Sequence, residues 1–267
     1  QWYGGLGIVV LSVALLAGYD AAARQMLDPQ ARLENLDTSA RLFARRASAT
    51  YVVLTLGGIA ALWLAGLPLF DALTHAFAAI STGGFSTHDA SLAAFSGWTP
   101  RLVTMGLSLA GAVALPLYFL AWQHGWRMLA ANVELHTLLV LCGLSGALLT
   151  LLLYHNQGTW QAEFVGHAVL MATSAQTTTG FASLPVSELD ATAKLVLILS
   201  MLVGGSVGST AGGFKLWRLL LLLRLSQLVF HRIAMPDHAV VELRLGGRVI
   251  ETDELTRGLW LMLLFAT

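Results

Sequence analysis

Residues 174–185 read SAQTTTGFASLP. A serine, an amide, three successive threonines and a glycine stand here between long apolar stretches. The surroundings make the group anomalous: of 267 residues, 56% are hydrophobic and only 11% charged, and the mean hydropathy is +0.70. A soluble domain carries about 25% charged residues. Polar backbone-rich sequence inside so apolar a chain needs partners, and the search for them decides the fold.

Residues 47–70, 102–126, 135–162, 164–187 and 195–214 contain no Asp, Glu, Lys or Arg. Each matches the roughly 20 residues a membrane helix needs. A soluble helical bundle is excluded, because such runs leave no polar helix faces for water. The fold class is therefore an all-α polytopic membrane protein. Formal net charge is zero, which favours no nucleic-acid partner. Cys142 is the only cysteine and reads as a buried, inert thiol. The chain starts with the apolar QWYGGLGIVVLSVALLAG, without a basic leader, and its last residues are GLWLMLLFAT. The expectation is the middle part of a longer protein.

Thirteen of the fifteen Lys and Arg fall in 19–46, in the loop 123–134, after residue 214 or at Arg257; Arg101 and Lys194 are the others. Basic loops face the cytoplasm. Residues 2–18 then cross inward, 48–68 outward, 100–122 inward, 135–155 outward and 190–230 inward. This scheme requires 69–99 and 156–189 each to begin and end outside.

Both pieces hold an apolar stretch of about 10 residues, FDALTHAFAAI (70–80) and FVGHAVLMA (164–172), too short to span. Each runs into hydroxyls and glycine: STGGFST (81–87) and TTTGFAS (177–183). Non-helical backbone at membrane depth is tolerated only where protein or a watery cavity satisfies it. These segments read as re-entrant half-helices lining a cavity. Setting Gly84-Phe85 on Gly180-Phe181 aligns Thr82 with Thr178 and Gly83 with Thr179, so the chain holds an internal repeat of spanning helix, short helix, Thr/Gly turn and spanning helix. Membrane repeats place their sites near the midplane between units.

Glycine permits dihedrals that a side chain forbids, and threonine favours extended backbone. Carbonyls so presented replace the water shell of a dehydrated cation. Neither turn carries a carboxylate, which a hard divalent ion requires, so a monovalent cation, K⁺ above others, fits best. The residues leave open a Na⁺-permeable or Na⁺-coupled transporter, an intramembrane enzyme using a hydroxyl of 204–213, and a membrane scaffold.

Residues 204–213, GGSVGSTAGG, hold five glycines and no charge. At about 1 kcal/mol per glycine relative to alanine, they break the crossing 190–230 into two halves, with Ser206, Ser209 and Thr210 available to satisfy freed backbone groups. A phosphate loop is excluded because Phe214 stands where lysine is required; helix-packing glycines are the alternative. His75, His88 and His167 lack metal-type spacing and read as structural. Asp71 and Glu134 read as helix-start charges, Asp89 and Glu163 as outer-mouth carboxylates. Trp98, Trp122, Trp126 and Trp160 read as interfacial. VVELRL and RVI around Gly246-Gly247 predict a cytoplasmic hairpin within 231–252.

FDALTHAFAAISTGGFSTHDASL, TTTGFA, GGSVGSTAGGFKLWRLLLLLR and the opening QWYGGLGIVVLSVALL resemble, in order, segments of the Trk/Ktr potassium-uptake family, of its TrkH-type membrane subunit. The resemblance implies one pore built from four helix–pore loop–helix repeats. On it, 1–18 ends a preceding repeat, 19–46 is a cytoplasmic basic linker, 47–126 and 133–230 are the second and third repeats, and 253–267 starts a fourth. It implies a K⁺ filter at Ser81, Thr82, Gly83, Gly84 and Phe85 and at Thr177, Thr178, Thr179, Gly180 and Phe181. K⁺ would meet carbonyls of Thr82, Gly83, Gly84, Thr178, Thr179 and Gly180. It makes Gly204, Gly205, Ser206, Gly208, Ser209, Thr210, Gly212, Gly213 and Lys215 the gate loop. It further implies K⁺ as transported ion with no covalently bound cofactor, and lipid as surroundings. A homodimer, a cytoplasmic nucleotide-binding regulatory subunit and the bacterial cytoplasmic membrane complete the implied setting.

Overall fold

The structure, a computed structural model, describes residues 1–7, 34–157, 162–233, 244–245 and 248–249. Most of the expected basic linker, the turn Gly246-Gly247, Trp160 and the expected start of a fourth repeat lie outside the described residues.

Among the described residues the regular structure is helical apart from one two-residue strand pairing. After a helical turn at residues 2–7 come α1 (Glu34–Leu64), α2 (Leu69–Ile80), α3 (Trp98–Ala112), α4 (Leu115–His124), α5 (Arg127–Ala130), α6 (Val133–Gln157), α7 (Ala162–Gln176), α8 (Ala191–Val203) and α9 (Leu216–Ile233). Strands β1 (Arg244–Leu245) and β2 (Arg248–Val249) pair antiparallel. The order long helix, short helix, turn and helix occurs twice, over 47–126 and 133–230.

Among the described helices, Ala44–Leu64 and Val133–His155 are long and apolar enough to cross a membrane. Their outer surfaces are greasy: Leu56, Leu144 and Leu151 are each at least 61% exposed. A soluble monomer does not leave so much contiguous apolar surface in water. The short α2 and α7 cannot cross. They lie inside, α2 packed on α1 and α3, α7 on α6 and α8. Their buried faces are small residues, Ala72, Ala76 and Ala79 in α2 and Ala168, Ala172 and Ala175 in α7, which let neighbouring helices approach closely. Outside the membrane, the Asp190 carboxylate caps α8 by accepting the Thr192 N–H at 3.0 Å. Those amide donors hold it below the usual carboxylate range.

The expected crossing 100–122 is not one helix. It breaks after Ala112 and turns by 89°. Val113 is extended (φ −87°, ψ 146°), and Pro116 stands in the first turn of α4. A proline there has no N–H for the preceding turn and clashes with its carbonyl, so the helix cannot continue through it. The break frees the Gly111 and Ala112 carbonyls, which the glycine-rich loop then uses. Trp122 and Trp126 are 79% and 68% exposed, but the Trp98 ring is turned inward against His167, 5.0 Å between centroids, and fills the space beside Gly166.

Gly111 is where α3 meets the end of α2: a Cβ there would lie 2.4 Å from the Ile80 carbonyl oxygen. Backbone cannot yield as a side-chain tip would. Gly111→Ala is expected to lose about 1–3 kcal/mol, read as a lowered thermal midpoint of the detergent-purified protein.

Candidate functional site

The site forms where α2 and α7 end. Three N–H groups beyond each helix turn back onto its last carbonyls. Thr82 N–H donates to Ala79 O at 3.0 Å, and Gly83 and Gly84 N–H both donate to Ala78 O, at 2.7 and 3.4 Å. In the second repeat Thr178 donates to Ala175 O at 2.9 Å, and Thr179 and Gly180 to Ser174 O at 2.9 and 3.3 Å. The Ser81 hydroxyl donates to Phe77 O at 2.7 Å, and its counterpart Thr177 to Thr173 O at 2.8 Å. The two turns thus repeat bond for bond.

This pattern fixes where the carbonyls go. In a trans peptide the N–H and the preceding C=O point in opposite directions. With the N–H groups of 82–84 and 178–180 tied into the helix ends, the carbonyls of Ser81, Thr82 and Gly83, and of Thr177, Thr178 and Thr179, are turned away from the helices. The hand of the backbone alternates along the way: φ is −78° at Ser81, +51° at Thr82, not left-handed at Gly83 and +68° at Gly84. Thr178 (+55°) and Gly180 (+89°) repeat it. The expectation of extended threonines is thereby corrected. A helix stopped in this way needs a left-handed residue just after its cap, normally glycine. Here both repeats place a β-branched threonine in it, an outlier conformation costing about 1–2 kcal/mol. Strain of this kind concentrates at functional positions.

The two turns meet. A Cβ on Gly84 would stand 1.9 Å from the Thr179 carbonyl oxygen and 3.2 Å from the Gly180 carbonyl carbon. The Gly83 carbonyl accepts from the Gln1 side-chain amide at 3.2 Å. The matched phenylalanines diverge: Phe181 is buried and stacks on His75, with centroids 5.9 Å apart, whereas Phe85 is 70% exposed. His75 is fully buried between Asp71 O (2.8 Å) and the Ser86 hydroxyl (3.0 Å), a structural histidine. Among the described residues, no group of three His, Cys, Asp or Glu could hold a metal ion.

The glycine-rich loop lies against both turns and against the elbow between α3 and α4. The Thr210 hydroxyl meets two carbonyl oxygens, Ile80 at 2.8 Å and Gly111 at 2.9 Å, and the Thr210 N–H donates to Gly111 at 3.1 Å. Ser206 N–H donates to Ala112 O at 3.0 Å, and Leu115 N–H returns a bond to Gly208 O at 3.1 Å. Gly212 N–H donates to the Thr178 hydroxyl at 2.7 Å. The Ser209 hydroxyl donates to Ser206 O at 2.6 Å. The Lys215 ammonium donates to the Ala211 carbonyl and so folds back into the loop, its own backbone left-handed at φ +74°. Gly204 and Gly213 pack so closely that a Cβ on Gly204 would lie 2.0 Å from Gly212 O, which explains Gly205 and Gly212 less than it explains these two. Gly205 is required separately, by Ala112 O at 2.9 Å from its absent Cβ.

Two residues of this site escape sequence reading. Gln176, last in α7 and 2% exposed, donates to Gly204 O at 2.8 Å. Glu134, read as a helix-start charge, reaches the loop: its carboxylate accepts the Val207 N–H at 3.1 Å. The signal for each was a lone polar group in uncharged surroundings, but the partner could not be named from spacing.

Paired short helices that stop in matched turns, with one glycine-rich loop bonded against both, define a multi-pass membrane protein of tandem helix–loop–helix repeats. The whole chain, residues 1–267, matches the family described as TrkH, cation transport protein, and belongs to that family, a family of transporters rather than enzymes. It is 33% identical over 264 residues to the Trk system potassium uptake protein TrkH of Vibrio parahaemolyticus, covering 94% of this chain and 53% of the relative. It is 30% identical over 273 residues to TrkH of Escherichia coli K12, covering 97% and 55%. The crystal structure of the potassium transporter TrkH from Vibrio parahaemolyticus superposes with a TM-score of 0.80 at 29% identity, covering 97% of this chain and 53% of that one. The chain spans about half the length of the curated relatives it matches.

The two glycines of the turns differ in what surrounds them. Gly84→Ala drives a methyl into the Thr179 carbonyl, while Gly180→Ala meets nothing within 4 Å and costs only its left-handed strain, about 1–2 kcal/mol. Thermal unfolding of the two variants is expected to show Gly84→Ala as clearly the more damaging; equal losses would contradict the close approach.

Proposed function

We propose that the protein takes up K⁺, with the turns at 81–85 and 177–181 as two segments of a carbonyl filter and residues 204–213 as the gate beneath them. The observation that carries this reading is the bond-for-bond repetition of the two turns, each spending its N–H groups on its own helix and presenting its carbonyls. A stack of such carbonyls exchanges for the hydration shell of an alkali ion, and selection comes from the number and spacing of the dipoles rather than from a charged ligand. Of the oxygens, this bonding turns out those of Thr82, Gly83, Thr178 and Thr179; those of Gly84 and Gly180 join them on the family resemblance. The names of the relatives, potassium uptake proteins, support K⁺ over Na⁺.

The gate reading is supported by position. The loop is bonded to the back of both turns through Ile80 O and Thr178, and to the elbow through Gly111 and Ala112. An ion leaving the turns on that side meets it. A homodimer, a cytoplasmic nucleotide-binding regulatory subunit, symport and residence in the bacterial cytoplasmic membrane belong to the same proposal, on family resemblance.

K⁺ uptake in a strain lacking its own uptake systems tests the reading. The unsubstituted protein is expected to restore growth at low K⁺, and Gly180→Ser to weaken uptake and K⁺ preference together. Uptake unchanged by Gly180→Ser would overturn the filter assignment. For the gate, Thr210→Val keeps the shape but removes the hydroxyl, whose single hydrogen is shared between the Ile80 and Gly111 carbonyls. At about 0.5–1.5 kcal/mol per bond, basal K⁺ flux into proteoliposomes is expected to rise roughly threefold to tenfold.

A further inference from the structure

The inner end of each carbonyl strand is anchored by N–H groups on its helix. The outer end follows a glycine, the most permissive residue for backbone rotation, and needs a second anchor if the carbonyl spacing is to hold. Both repeats supply one in the same place. Asp71, in the first turn of α2, accepts the Thr87 hydroxyl at 2.6 Å; His167, in the second turn of α7, meets the Ser183 hydroxyl at 3.0 Å. Both contacts close 16 positions of chain. In the register that sets Gly84 on Gly180, Asp71 stands on His167 and Thr87 on Ser183. The carboxylate has become an imidazole and the threonine a serine, yet the bond persists. Incidental surface contacts do not survive such replacement of both partners.

We propose that Asp71 and His167 are positioning residues of the ion pathway, twin braces that hold the outer ends of the two carbonyl strands and thereby set ion preference. This rests on the filter reading above. Neighbouring groups hold each brace in place. The Asp71 side chain is only 14% exposed and lies 3.5 Å from His88 Nε2. His167 is held against the Trp98 ring, and the Arg101 guanidinium beside that ring donates to the carbonyls of Leu92 and Phe95. Neither Asp71 nor His167 touches the outward carbonyls, so each acts through the strand it ties.

The test measures K⁺ uptake and K⁺ against Na⁺ preference of the protein in uptake-deficient cells, with membrane abundance monitored. Asp71→Leu and His167→Leu are expected to raise the KM for K⁺ and lower the K⁺/Na⁺ preference by about threefold to tenfold, the worth of a hydrogen bond. His167→Asp, which gives the downstream repeat the acceptor used upstream, is expected to keep values near those of the unsubstituted protein. Thr87→Val and Ser183→Ala remove single hydroxyls and carry the test where a leucine variant fails to reach the membrane; the same shifts are expected. Unchanged KM and preference in both hydroxyl variants, or His167→Asp behaving as His167→Leu, would overturn the braces while leaving uptake by the unsubstituted protein, and so the filter reading, intact. No K⁺ uptake by the unsubstituted protein itself would instead remove the reading on which the braces rest.

Discussion

The structure depends on one constraint: backbone that enters the bilayer without crossing it must satisfy its own N–H groups. Each unsatisfied group in hydrocarbon costs several kcal/mol. The chain meets this at the ends of α2 and α7 by folding three donors back onto two carbonyls of the helix just completed. Everything that makes the turns useful follows from that economy of donors. The carbonyls must point outward because the amides point inward. The residue at the bend must be left-handed, whether or not it is glycine. The strands can then approach each other only where a side chain is missing, at Gly84.

The second half of the architecture solves the same problem for a broken helix. Pro116 ends α3 early and leaves the Gly111 and Ala112 carbonyls without intrahelical donors. The loop 204–213, itself short of partners because glycine has ended α8, supplies the Thr210 and Ser206 N–H groups. Two interruptions far apart in sequence are therefore stable only as a pair. Gln176 and Thr178 extend the same bonding to the second turn, so that the region under the carbonyls is one continuous hydrogen-bonded body.

Much of this was legible in the residues because it is local. Uncharged runs mark apolar helices, of which Ala44–Leu64 and Val133–His155 are long enough to cross; short apolar stretches ending in Thr and Gly mark α2 and α7, and the glycines of 204–213 mark the break between α8 and α9. The glycines Gly84 and Gly180 were read as backbone necessities and are left-handed. What could not be read was long-range or contrary to propensity. Threonine prefers extended backbone, and only the amides folded back onto the helix end explain its left-handed placement at Thr82 and Thr178. Glu134 and Val207 are 73 positions apart, and Gln176 and Gly204 28, distances at which no motif joins them. The elbow at 113–114 was marked by Pro116, but the uncharged run around it concealed the bend. Trp98 reads as interfacial from its place in the chain, but nothing in the spacing announces that its ring also fills the space beside Gly166.

The shared bonding of loop and elbow has a thermodynamic corollary. If 204–213 withdraws, the Ala112 carbonyl, and one acceptor site on each of the Ile80 and Gly111 carbonyls, loses its donor in a region shielded from bulk solvent. Such groups must be rehydrated, or the displacement is opposed by their full desolvation penalty. Water and loop are thus competitors for the same oxygens. Any displacement of the loop is therefore coupled to hydration of these oxygens.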